Sequence, residues 1–306
     1  MLSSLANRLF WGLVTLLAIS AITFFLMNLV PGGPFATLDT GRSLPTEVVR
    51  EIERQYGLDK PVTQQYLIYL GNLLRGDLGR SLVRNEPVRG MLARALPTSL
   101  VLGGLALALA LAVGLPLGIV AAVKENSWID HLATGVSILS VCTPSFVLGM
   151  LLIIVLSLKL ELLPVAGWGT GKQAILPVIA LSMQPMSIII RYTRSSVLEV
   201  LNQLYITVAR SKGLPERVVI LRHALKNALI PIVTVIGLLV PQLLIGSFLV
   251  ETIFAIPGSG RFFVVSVTQR DYPVIMSVAI LYGWLVTMVN LVVDSIYQYL
   301  DPRIAW

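Results

Sequence analysis

Gly169-Thr170-Gly171-Lys172 is the stretch that most resembles a nucleotide site. A phosphate-binding loop needs a spaced pair of glycines, then Lys, then a Ser or Thr whose hydroxyl reaches Mg²⁺. Here Gln173 follows the lysine and the upstream glycine is displaced, so no ATP site is read. Gly258-Ser259-Gly260 offers a serine without nucleophile-elbow spacing and reads as a turn. His131 and His223 cannot complete a zinc site alone, and His131 reads as an interfacial residue. The single cysteine, Cys142, excludes an internal disulfide framework or a Cys-rich cluster and is expected to pack. No catalytic, metal or cofactor residues are assigned. Any work this chain does must draw energy from another chain or from an ion gradient.

The elements that would position such residues belong to a membrane. Of 306 residues, 56% are apolar and 13% charged, about half the usual charged share. Mean hydropathy is +0.83. Disorder is excluded, because it needs low hydrophobicity and high charge. A soluble globule of this size is excluded too, because it could not enclose so much apolar surface. The net charge of +7 comes mostly from one short segment, which argues against a nucleic-acid reader.

Six uncharged stretches separate the charges. They hold 30 residues after Arg8, 29 after Arg94, 28 after Asp130, 18 after Lys172, 24 after Lys226 and 22 after Asp271. A crossing helix needs about 20 apolar residues, so an all-α polytopic protein with six transmembrane helices is expected. The fourth stretch is the shortest and holds Pro177 and Pro185. The first reads as a retained helix over residues 9–29. Its apolar run is too long for a signal peptide, and Val30-Pro31-Gly32-Gly33-Pro34 offers no small-x-small cleavage site.

An even number of spans puts both termini on one side. With the termini inside, inner segments carry ten Lys/Arg and outer segments thirteen, against the positive-inside rule. Nine of the thirteen lie in residues 39–94 together with seven acids. That segment approaches the length at which the rule lapses, and without it the balance is ten to four. Cytoplasmic termini therefore require a small translocated unit after the first span. Its helical signals are Val48, Ile52 and Tyr56 between Pro45 and Gly57, then Val62, Tyr66, Tyr69 and Leu73 up to Gly76-Asp77. The expected division is 1–30 as first transmembrane helix and 31–95 as extracytoplasmic helical cap. Residues 96–306 follow as a five-helix core with a cytoplasmic loop at 191–226.

That loop holds seven cations and two acids, or +5 of the whole charge. Anchoring to lipid, enforcing topology and docking a partner are the competing readings. Val197, Leu198, Leu201, Leu204, Tyr205 and Val208 fall on one helical face. Lys212-Gly213-Leu214-Pro215 stops that helix, with Gly supplying a left-handed cap and Pro unable to continue it. Glu216 opens a second helix through Val218, Val219, Leu221 and Leu225, placing its charge at the positive dipole end. A lipid anchor needs no such turn, so docking is favoured.

Tyr205 to Pro215, followed by Arg222 to Pro231, resembles the EAA loop of ABC-importer permeases, in particular the dipeptide/oligopeptide/nickel branch. Tyr56 to Pro61 with Gly76 to Ser81 resembles that branch's extracytoplasmic segment. Glu251 to Phe254, Pro257 to Gly260 and Arg270 to Pro273 resemble its last external loop. Asp294 and Asp301-Pro302-Arg303 resemble its C-terminal end, so the likeness spans nearly the whole chain and its B-type permease subunit. Thr207 and Val208 depart from the Glu-Ala of the general loop, and Lys226 from its final Pro. The carboxylate usually drawn at the loop's start is therefore absent.

The resemblance implies a type I importer permease in an inner membrane. Its implied partners are a homologous second permease, two cytoplasmic ATPases and an extracytoplasmic solute-binding protein. ATP and Mg²⁺ would sit on the ATPases and no cofactor on this chain. The substrate would be a peptide or a similar small solute. Tyr205, Ala209, Arg210, Lys212, Gly213, Leu214, Pro215 and Arg217 are expected at the ATPase contact. Glu251, Pro257, Gly258, Gly260, Arg270 and Asp271 are expected at the outer gate and binding-protein contact.

Within the spans, Ser140, Thr143, Gln184, Gln242 and Asn290 are candidates for the path, since intramembrane polar groups usually face a bundle or cavity. None is a central charge of the kind a proton relay needs, which weakens the rival reading of an ion-coupled secondary transporter. Gly114 and Gly118, with Ala at 106, 108, 110 and 112, predict close helix packing within the chain or against a second permease.

Overall fold

A computed structural model describes residues 2–29, 59–244 and 248–300. The expected helix at Val48, Ile52 and Tyr56 lies outside the described residues, as do Asp301, Pro302, Arg303 and the side chain of Asp294. The regular secondary structure among the described residues is helical, apart from an isolated bridge between Arg80 and Pro87. The elements are α1 (Leu2–Leu29), α2 (Val62–Leu74), α3 (Val88–Val123), α4 (Trp128–Cys142) and α5 (Ser145–Leu152), which runs into a π-helical segment, Ile153–Lys159. Then come α6 (Gly171–Leu201), α7 (Leu204–Ser211) and α8 (Glu216–Val218). A second π segment, Val219–Ala224, leads to α9 (Leu225–Leu244). α10 (Phe248–Ile253), α11 (Ser259–Gln269) and α12 (Tyr272–Leu300) complete the order.

Five helices are long and apolar enough to cross a membrane, and a bent pair makes a sixth. The third uncharged stretch, read from the sequence as one span, is this bent pair. α4 and α5 meet at 104°. Pro144 has no N–H and pushes the preceding residue out of the helical region, so Thr143 sits at φ −99°, ψ 116°. Pro177 and Pro185, by contrast, leave the 31-residue α6 unbroken. α3 starts at Val88 and passes through the expected boundary at 95/96 without interruption.

The chain divides into two compact units: residues 1–98 with 258–287, and residues 99–257 with 288–306. In the first, Val88, Met91 and Leu92 of α3 pack on Val274 and Val278 of α12. Phe24 of α1 meets Tyr66 of α2 with ring centroids 5.3 Å apart, and Ser20 shares a 2.8 Å hydrogen bond with the Tyr66 hydroxyl.

In the second unit α6 is central and packs against α4, α5 and α9. Ala106, Ala110, Gly114 and Gly118 recur every fourth residue on the buried face of α3, whereas Ala108 and Ala112 are exposed. The alternating alanines were thus the wrong period, and the four-residue spacing is the packing signal. A Cβ on Gly118 would lie 2.6 Å from Thr193 Cβ and 2.8 Å from the Ile190 carbonyl oxygen. Small residues here let two backbones approach closely, and between lipid-facing helices that approach supplies much of the association. The partner is this chain's own α6.

Gly169-Thr170-Gly171-Lys172 is the start of α6. Thr170 N–H donates to Gln173 Oε1 at 3.1 Å, so the residue that spoils the phosphate motif is a helix cap. Cys142 is exposed at the bend instead of packed.

Candidate functional site: the hook between α6 and α9

The expected single helix over 197–212 is interrupted at Asn202-Gln203, where α6 ends and α7 begins. This splits the apolar face read from the sequence. Val197 is buried, and Leu198 and Leu201 half-buried. Leu204 is 84% exposed, Val208 53% and Tyr205 42%. On α7 the inward positions are Ile206 and Ala209, which pack with Val219 and Ala224 of the returning strand of helix. Sequence periodicity found an apolar stripe but could not tell that the break rotates its second half outward.

The reversal itself is as the residues dictate. Gly213 has φ +75°, the left-handed region where only glycine carries no steric penalty. Its N–H donates to the Arg210 carbonyl at 2.9 Å, and Lys212 N–H to the Val208 carbonyl at 3.1 Å. Pro215 then caps α8 from an extended conformation. Arg210 spans the turn: Nη2 donates to Glu216 Oε1 at 2.6 Å and Nε to Oε2 at 3.2 Å. Donation to the Glu216 carboxylate holds the guanidinium above its ordinary pKa range. Arg210 thus braces the hook, which the sequence reading missed. Opposite charges flanking a Gly-x-Pro turn were the available signal. Tyr205 is tied down as well, its hydroxyl accepting from Asn227 Nδ2 at 2.7 Å. Lys212, Leu214, Pro215 and Arg217 are exposed around the tip. The result is a rigid hook with apolar Leu204, Tyr205 and Val208 outward and cations beside them.

The outer-loop candidates fall in different units. Glu251 is wholly buried in the second unit, where Ser99 Oγ donates to its Oε1 at 2.8 Å. Pro257 is exposed. In the first unit Gly258 and Gly260 are buried at the start of α11. Gly258 has φ −95°, which any residue adopts. Arg270 holds φ +55° as the C-cap of α11. Asp271 is buried; it accepts from the Leu82 N–H at 3.0 Å and from the Ser81 hydroxyl. Glu251 and Asp271, both expected at the outer gate, are each hydrogen-bonded inside their own unit, because a buried carboxylate must keep its donors.

The path candidates scatter. Ser140 donates to its own helix at the Val136 carbonyl, and Thr143 marks the bend. Asn290 is exposed on α12. Gln184 and Gln242 alone are brought together, lining one cavity of about 190 Å³. Among the described residues no cluster of His, Cys, Asp or Glu could hold a metal.

Five helices long and apolar enough to cross a membrane, or six with the bent pair, thus carry a braced hook between α6 and α9. Residues 114–306 match the family of binding-protein-dependent transport system inner membrane components, and residues 1–103 match the N-terminal component of such systems. The chain belongs to that family: it is an ABC-importer permease subunit, a multi-pass inner-membrane protein. It is 42% identical to the dipeptide transport system permease protein DppB of Bacillus subtilis, over 96% of each chain. It is 40% identical over the full length of both chains to the oligopeptide transport system permease protein OppB of Salmonella typhimurium. Among solved structures, the inward-facing MetNI methionine ABC transporter aligns with a TM-score of 0.59 at 18% identity, covering 71% of this chain and 99% of that one. An amino acid ABC transporter solved with histidines gives 0.51 at 18% identity, covering 69% and 94%. These likenesses carry the fold, which is that of type I importer permeases.

Proposed function

We propose that this chain is the B-type permease of a peptide importer, forming with a homologous permease the path for di- or oligopeptides. An external binding protein delivers the peptide, and two cytoplasmic ATPases bind ATP and Mg²⁺. The observation that carries the mechanism is the hook. Leu204, Tyr205 and Val208 expose an apolar face, Lys212 and Arg217 flank it, and Gly213 and the Arg210–Glu216 pair fix its angle. Such a face in water is a docking surface. Seated in a cleft of an ATPase, the hook moves with it, and α6 and α9 carry that motion into the spans. The termini, like the hook, are cytoplasmic. Likeness to dipeptide and oligopeptide permeases at about 40% identity supports the substrate class. Membership of the importer family leaves the ion-coupled alternative without support.

The test is reconstitution. The chain is co-expressed with its partner permease and ATPases, purified as a complex and placed in vesicles with the binding protein. ATP-dependent accumulation of labelled di- or tripeptides is expected. A cysteine introduced at Val208, in a chain carrying Cys142→Ser, should react with an impermeant maleimide only from the ATPase side. Labelling from the opposite face, or accumulation driven by an ion gradient without ATP, overturns the proposal.

A further inference from the structure

A partly open cavity of about 190 Å³ in the second unit is lined by α6, α9, the start of α5 and Phe248 of α10. Its polar lining comes from Gln184 of α6, Gln242 of α9 and Ser145 of α5. Among the described residues it has no ionisable side chain. Both glutamines are exposed residues, and neither carboxamide has a hydrogen bond to another described residue, so both have donors and acceptors available to a ligand. A further acceptor comes from the backbone. Pro185 lines the cavity and has no N–H, so the carbonyl of Leu181, another lining residue, has no donor at its i+4 position.

This set of groups is selective. A charge placed there meets no counter-charge among the described lining residues. A carboxamide, by contrast, carries both N–H donors and a C=O acceptor, so two of them can take the oppositely directed N–H and C=O of one trans peptide bond. Around these groups the wall is apolar (Leu181, Phe248), which tolerates varied side chains without reading them.

We infer that the Gln184–Gln242 cavity is a peptide-bond subsite: the two carboxamides hold a backbone amide of the passing peptide and ignore its side chains and termini. This rests on the peptide-importer reading above and deepens it. Recognition of charged termini must then lie outside this cavity.

The experiment uses the vesicle-reconstituted complex with its binding protein. Wild type is compared with Gln184→Leu, Gln242→Leu and the double variant. Each carries a tripeptide or the same tripeptide with one central amide replaced by an ester, which removes the N–H. Leu leaves no buried polar group orphaned, so co-purification of the ATPases should be unchanged and serves as the folding control. Uptake of the amide peptide is expected to fall about tenfold per variant, the worth of one ordinary hydrogen bond. The ester should be a poor substrate for wild type and lose little more in the variants. If the variants take up amide peptide at the wild-type rate, or lose both substrates equally, the subsite is overturned while peptide import stands. If wild type accumulates no peptide, the underlying reading fails instead.

Discussion

Asp130 and Arg194, 64 residues apart, form a bidentate pair between the start of α4 and the C-terminal part of α6, with Arg194 Nη2 donating to Asp130 Oδ2 at 2.7 Å and Nε to Oδ1. Asp130 has a side chain only 3% exposed, and it also accepts from the Asn126 N–H at 3.0 Å. The pair therefore ties the loop before the bent α4–α5 element to the helix that leads into the hook. Removing one partner leaves a buried charge without compensation, at a cost of about 3–5 kcal/mol. Arg194→Met should thus lower the detergent-solubilised melting temperature markedly. Asp130→Asn combined with Arg194→Met should recover much of that loss. Thermal shift or size-exclusion after heating reads both, and a double variant as unstable as the single would show that the charge itself is not the problem.

At the tip of the hook, Gly213→Ala carries strain without a clash. A Cβ there meets nothing within 4 Å, yet φ is +75°. The penalty for an ordinary residue in this region is about 1–2 kcal/mol, and Asn tolerates it better. The expected outcome is a small effect on whole-protein melting but a clear fall in ATPase stimulation by loaded binding protein, with Gly213→Asn intermediate. Equal activity for Gly, Asn and Ala would show that the turn angle does not matter to coupling.

Much of this was readable from residues. Lys212-Gly213-Leu214-Pro215 announces its own reversal, because Gly and Pro each allow only particular backbone angles. Apolar run length was legible for a different reason, that hydrocarbon thickness is a fixed ruler: five of the six stretches are single crossing-length helical segments and the third is the bent pair. What escaped was non-local. Asp130 and Arg194 have no sequence signature linking them, and the burial of Glu251 and Asp271 depends on Ser99 and Ser81 arriving from distant segments. The bend at Pro144 was locally visible, yet Pro185 sits inside an unbroken helix, so proline alone does not decide between kink and continuation. Periodicity likewise joined Val197 to Val208 as one face, because it cannot see the two-residue break between them.

The Arg210–Glu216 pair is solvent-facing, with side chains 44% and 52% exposed. Exposed pairs contribute little to stability, about 0.2–1 kcal/mol. Its value lies in fixing the hook. Arg210→Ala and Glu216→Ala are each expected to reduce coupled ATP hydrolysis by a similar factor, and the double variant by no more than either single. If Arg210→Ala alone is severe and Glu216→Ala is silent, the arginine contacts the ATPase directly and does not act as a brace.

Gly118 offers the sharpest test of helix packing. A Cβ there would stand 2.6 Å from Thr193 Cβ and 2.8 Å from the Ile190 carbonyl oxygen, so α3 and α6 must separate to admit it. Overpacking of this kind costs about 1–3 kcal/mol. Gly118→Ala should therefore lower the melting temperature of the solubilised protein. Gly104→Ala on the same helix should be neutral or stabilising, since its Cβ meets nothing within 4 Å and Ala favours helix. Trimming the neighbour should help only partly: Thr193→Ala in the Gly118→Ala background removes Cγ2 and Oγ1 but leaves Thr193 Cβ and the Ile190 backbone where they were. Full rescue by that second change would show that the side-chain tip, and not the approach of two backbones, sets the spacing of these helices.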